Sequence, residues 1–143
     1  MARRSKWRIK EAVKIAEEAG LKALRTGAEA ILTEAIDETP IDTGTLRRSG
    51  TVTVGALPDG AQVYEAAKSG TEMKDAFPGE IGKEKAVYIS FNTPYARRQH
   101  EELGYEHPRG GKAKYLEDPF NRLKKKVVKM AELTIKKALR DAK

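Results

Sequence analysis

Apolar positions Ile9, Val13, Ala16, Gly20, Leu24, Ala28, Ile31 and Ala35 recur at steps of three and four, which predicts one amphipathic helix over Lys6 to Glu38. Ala12, Ala19, Ala23, Leu32 and Ile36 widen the stripe. Ser5 is placed to cap the helix, leaving 1–5 as a basic N-terminal tail. Gly20 and Gly27 each cost about 1 kcal/mol relative to alanine in a helix interior, so they mark either a kink or the close approach of another helix. Thr39-Pro40 ends the run, because a residue before proline is pushed out of the α region.

Beyond Pro40 the period changes. In PIDTGTLRRS, Asp42 or Thr43 is placed to cap a short turn carrying Leu46. Thr51 to Leu57 alternates as a strand, Pro58-Asp59-Gly60 reads as a turn, and Ala61 to Ala67 as the returning strand of a hairpin. Residues 68–85 mix Gly, Pro and charge without period and read as a long exposed loop. Ala86 to Asn92 is the clearest strand, with Val87, Ile89 and Phe91 alternating against Tyr88 and Ser90. Tyr95 to Leu103 fits two helical turns ended by Gly104. His107-Pro108-Arg109-Gly110-Gly111 is a tight turn, and Lys114-Tyr115-Leu116 a last short strand. Asp118-Pro119 then opens a helix of about 24 residues, whose stripe runs through Phe120, Leu123, Val127, Met130 or Ala131, Thr134 and Ala138 with Leu139. The class is α+β: long N-terminal and C-terminal helices packed on a small antiparallel β-sheet, with a short helix after the last long strand. The chain reads as one domain, 1–143, whose helices cover one sheet face and leave the other to partners.

Composition adds constraints. With one Trp, three Phe and five Tyr the core is thin, so oligomerisation would supply burial that a monomer lacks. The absence of cysteine excludes disulfides, thiolate metal sites and a cysteine nucleophile. No apolar run approaches the roughly 20 residues of a membrane span, and the basic start lacks the apolar stretch of a signal peptide, so no membrane partner is expected. The net charge of +7 is uneven. Residues 1–10 hold five bases and no acid, and residues 120–143 hold nine bases and two acids, so the body between them is mildly acidic. Basic ends suit an acidic protein surface or nucleic acid, and equally a solvated helix face.

Each candidate for chemistry has a plainer structural reading. His100-Glu101-Glu102 with His107 brings imidazoles near carboxylates, but the two histidines stand seven positions apart with a glycine between them, unlike HExxH. Gly110-Gly111-Lys112 lacks the phosphate-loop spacing, and Asp42-Thr43-Gly44 matches aspartic proteases in letters only. No nucleophile–base–acid set can be assembled, which argues against a hydrolase. Arg97 and Arg98, following Tyr95, fit an interface anchor, with an internal salt bridge to Glu101 or Glu102 as the competing account.

Three blocks taken together, PIDTGTLRRS (40–49), VYISFNTPYARRQHE (87–101) and GGKAKYLEDPF (110–120), resemble the neck proteins of long-tailed bacteriophages, known as minor capsid, head–tail joining or tail-completion proteins. The second block is the most specific; the stretch 66–84 and the basic termini have no counterpart in the resemblance. It implies a structural, non-enzymatic virion protein of the neck, made in the host bacterial cytoplasm and needing no cofactor. It further implies a homo-oligomeric ring, a hexamer if it matches the tail tube, set between the portal or head-completion protein and the tail tube or terminator proteins, with DNA passing through the lumen. Pro94, Tyr95, Arg97, Arg98, Gln99, His100 and Glu101 are the expected protein interface, Tyr115 and Leu116 are expected to pack the last helix on the sheet, and the 68–85 loop is expected to order on docking. Lys124, Lys125, Lys126 and Lys129 are candidates for contact with DNA or an acidic partner. The alternative function is a small basic DNA-binding or packaging accessory protein.

Overall fold

The computed structural model describes residues 2–41, 44–72 and 84–142. Seven elements follow in order: α1 (Ala2–Glu38), α2 (Thr45–Arg48), β1 (Gly50–Val54), α3 (Gly60–Lys68), β2 (Val87–Phe91), α4 (Ala96–Glu101) and α5 (Glu117–Asp141). The α+β architecture expected from the sequence is present: two long terminal helices, a two-stranded antiparallel sheet, and a short helix after its second strand.

Helix α1 has 37 residues, about 55 Å at 1.5 Å per residue. It begins at Ala2, so Ser5 lies inside it and residues 2–5 extend the helix instead of forming a tail. Alanine and arginine are good helix formers, and that stretch holds no glycine or proline to break the helix. The helix ends where Thr39-Pro40 predicts, with the Thr39 hydroxyl donating back to the Ala35 carbonyl at 2.6 Å. Helix α5 lies antiparallel along α1: a Cβ at Gly20 would meet Ile135, one at Gly27 would meet Val127, and Arg122 reaches Glu34 and Glu38. The glycines therefore serve close helix approach.

The predicted hairpin does not form. β1 pairs with β2, in the register Gly50↔Phe91, Val52↔Ile89 and Val54↔Val87, and Gly60–Lys68 is helical. Asp59 acts as an N-cap, accepting from the Gln62 amide at 3.2 Å, and Val63 and Ala67, four apart, bury on one face. A turn signal and a helix cap use the same Asp-Gly letters; the good helix formers that follow decide between them. The loop expected over 68–85 starts after α3, and residues 73–83 lie outside the described residues, as do Asp42 and Thr43. The short strand expected at Lys114–Leu116 is also absent: Lys114 has φ 56, a left-handed conformation that no strand can hold. Leu116, and not Asp118, takes the N-cap position of α5, while the Asp118 carboxylate binds Lys112.

The apolar side of the sheet faces α1. Ala28, Leu32 and Val52 form a core joined by Ile36, Val87, Ile89 and Phe91. A second core of Leu46, Ala96 and Tyr115 meets it through Phe91. The other side of β1 is not left open as expected, since Thr51 and Thr53 are both buried. Their hydroxyls are satisfied locally, Thr51 with Ser90 at 2.9 Å and Thr53 with the Ala56 carbonyl at 2.6 Å.

Candidate interaction site

The three sequence blocks converge at the C-terminal end of α1. In the first, Arg47 donates to the carbonyls of Asp37 and Thr39, both at 3.0 Å, capping α1. Arg48 does the same for α3 through the Ala67 carbonyl at 2.9 Å. Ser49 couples the first block to the second: the Asn92 amide donates to the Ser49 hydroxyl at 3.1 Å, and the Asn92 side-chain NH2 donates to the Ser49 carbonyl at 2.9 Å. The third block closes on the same helix end. Lys112 N–H donates to the Glu38 carbonyl at 2.9 Å and Ile41 N–H to the Gly110 carbonyl at 3.3 Å. Gly111, at φ 86, lies so near Pro40 that a Cβ there would sit 2.5 Å from its Cα, so only glycine fits.

Tyr115 holds α4 against this frame. It is 1% exposed, donates its hydroxyl to the Ala96 carbonyl at 2.7 Å, and meets Phe91 and His100 edge to face with ring centroids 5.0 Å apart in each pair. Burial pushes its phenol well above the usual range. The expected packing role of Tyr115 thus runs through β2 and α4.

His100 is a strut. Its Nε2 accepts from the Glu117 amide at 3.1 Å, at the first turn of α5, so Nδ1 carries the proton and donates to Glu101 at 2.8 Å. Lys114 bridges Glu101 and Glu117. The Glu101 carboxyl is held below the usual range, first by the hydrogen bond from Lys114 and then by that from His100. His100 and Glu101 therefore bind α4 to α5 within one chain. Among the described residues no group of three His, Cys, Asp or Glu is placed to hold a metal ion.

The rest of the expected interface faces outward. Pro94, Arg97 and Arg98 are exposed, and Tyr95 is 37% exposed. Neither Arg97 nor Arg98 forms an ion pair among the described residues, so the internal salt bridge to Glu101 or Glu102 is not made. Gln99 and Tyr95 line a groove of about 550 Å³ with Pro40, Ile41, His107 and Arg109. Sequence reasoning missed this groove, because its two walls lie over fifty residues apart. The paired-arginine signal of Arg47 and Arg48 pointed at helix C-termini and went unused. Lys124, Lys125 and Lys126 are exposed on α5 without ion pairs among the described residues, and Lys129 sits 3.8 Å from Glu132. Among the described residues no helix is long and apolar enough to cross a membrane.

A family model described as "Bacteriophage HK97-gp10, putative tail-component" matches residues 6–118. That span takes in nearly all of α1, the sheet, α4 and the first residues of α5. No curated protein and no solved structure matches the chain.

Proposed function

We propose that this chain, which belongs to the HK97-gp10-like family of phage tail components, is a structural protein of the virion neck that assembles as a ring joining head to tail. The observation that carries this reading is the outward face of α4. Pro94, Tyr95, Arg97 and Arg98 are exposed at and just before α4, Tyr95 lines an open groove, and Tyr115 and His100 tie the helix to the second core and to α5. Aromatic and arginine side chains presented on a rigid element are what a protein interface uses. A site made of positioning bonds, with no nucleophile and base brought together among the described residues, suits docking better than turnover. In a ring each subunit offers one surface to its neighbour and a different one on the other side. The portal or head-completion protein and the tail tube or terminator proteins are the partners such a ring would touch, and a hexamer would match the tube.

Electron cryo-microscopy of the particle that contains the chain tests this. A ring of density at the neck, with Tyr95, Arg97 and Arg98 at a subunit or inter-ring boundary, is expected. Density for the chain on the shell or on packaged genome would remove the joining role. The lysine row Lys124–Lys126 supports a second reading, DNA contact, and salt separates the two. Phosphate binding weakens steeply between low and moderate ionic strength, whereas contacts that bury apolar surface persist.

A further inference from the structure

Two exposed patches lie at opposite ends of the molecule. Gly20 packs against Ile135 and α5 ends at Asp141, so the turns of α1 before about Lys14 project past their partner helix. The apolar stripe that seats α5 farther along continues onto this overhang as Ile9, 63% exposed, and Val13, 50% exposed. Arg8, Lys10 and Lys14 surround them, exposed and without ion pairs among the described residues. At the far end, the segment after α4 presents Leu103, 76% exposed, and Tyr105, 40% exposed, between Glu102 and Glu106, which are exposed and likewise unpaired. Residues 101–106 hold three acids and no base, and Glu101 is already engaged by Lys114 and His100. Glu106 lies beside Pro40 and Ile41, at the C-terminal end of α1. The two patches are therefore separated by about 45 Å, some thirty residues of helix.

We propose that copies of this chain meet head to tail, with the projecting turn of α1 (Arg8, Ile9, Lys10, Val13, Lys14) seated on the Glu102–Glu106 segment of the next copy. The proposal rests on the ring reading and names the surfaces that would close it. Both patches pair two apolar side chains with charge, and the charges are opposite, so each answers the other in chemistry. A nucleic acid would need only the cations and would leave Ile9 and Val13 uncovered. Because the patches occupy opposite ends, one copy cannot satisfy itself; an antiparallel two-fold pair would use both patches at once and stop at a dimer, so the ring reading selects the head-to-tail arrangement. The contact is heterologous, the kind that closes a ring or extends a filament.

The chain has no cysteine, which makes a cross-linking test clean. The full-length chain carrying Ile9→Cys and Leu103→Cys, concentrated and mildly oxidised, is expected to give a ladder of dimers, trimers and larger species on a non-reducing gel. A bond within one chain is excluded, because a disulfide needs Cα atoms about 4–7 Å apart. Lys10→Glu with Lys14→Glu should cut the ladder at least tenfold, and adding Glu102→Lys with Glu106→Lys should restore it. All six positions are exposed, so circular dichroism should show the parent fold throughout. Absence of a ladder, equal dimer yield from Ile9→Cys alone, or a ladder indifferent to charge reversal would overturn the proposal. The microscopy reports on the ring separately. A neck ring without the ladder overturns this contact and leaves the ring reading; a ladder from a chain absent from the neck supports the contact and removes the ring reading.

Discussion

Replacing Gly27 with alanine puts two opposing effects into one atom. Alanine is favoured over glycine in a helix interior by about 1 kcal/mol, so on an isolated helix the change would stabilise. In the folded chain the new methyl would lie 2.4 Å from Val127 Cγ1, 2.8 Å from Cγ2 and 3.1 Å from Cβ. Carbon atoms pack best at about 3.5–4.0 Å. Valine in a helix keeps essentially one rotamer, and both of its γ carbons stand in the way, so rotation cannot clear the space. The helices must separate, and overpacking of this kind costs about 2–3 kcal/mol. Gly27→Ala should therefore destabilise by a net of about 1–2 kcal/mol, lowering the melting temperature by about 3–7 °C for a chain of this size. Gly20→Ala is the control: its Cβ would meet only the flexible end of Ile135, at 3.2 Å, so the propensity gain should win by about 0.5 kcal/mol. In a double-mutant cycle, Val127→Ala should recover about 1–2 kcal/mol when combined with Gly27→Ala. Urea unfolding followed by far-UV circular dichroism measures all four variants. A Gly27→Ala chain as stable as the parent, or a cycle with no coupling, would refute the close packing of α1 on α5.

Other consequences are equally direct. Tyr115→Phe keeps the ring but leaves the Ala96 carbonyl without its buried donor, and should cost about 1–2 kcal/mol in the same unfolding assay. Asn92→Ala removes the donor to the Ser49 carbonyl and should cost about 1–3 kcal/mol; a loss below about 0.5 kcal/mol would mean that the link between the first two blocks is idle. Lys114→Met should let the Glu101 carboxyl rise toward its ordinary range, read by carbon-detected NMR titration. Since the folded carboxyl is depressed, its contribution is full above the ordinary carboxylate value and disappears as pH falls through the lower folded value. The stability gap between parent and Lys114→Met should accordingly close in acid. An unchanged Glu101 titration would show that Lys114 does not set it.

What the sequence determined by itself rests on local signals. The stripe from Ile9 to Ala35, the stop at Thr39-Pro40, the alternation around Val87–Phe91 and the amphipathic last helix each report on neighbours three, four or two residues away, and each element is where those signals place it. The order of the three blocks identified the family for the same reason, since a motif is local. Tertiary structure decided the partners. Nothing near Thr51 says that its strand pairs with Val87–Phe91 and not with the next segment, because Asp59-Gly60 serves a turn and a helix cap equally well. His100 and Glu101 read as interface residues in sequence, and only the return of Lys114–Glu117 beside them ties them to α5 of the same chain. The sequence showed that both ends of the chain are basic. It could not show that α5 stops short of the first turns of α1, leaving Ile9 and Val13 uncovered, because that depends on how two helices nearly eighty residues apart align along one seam.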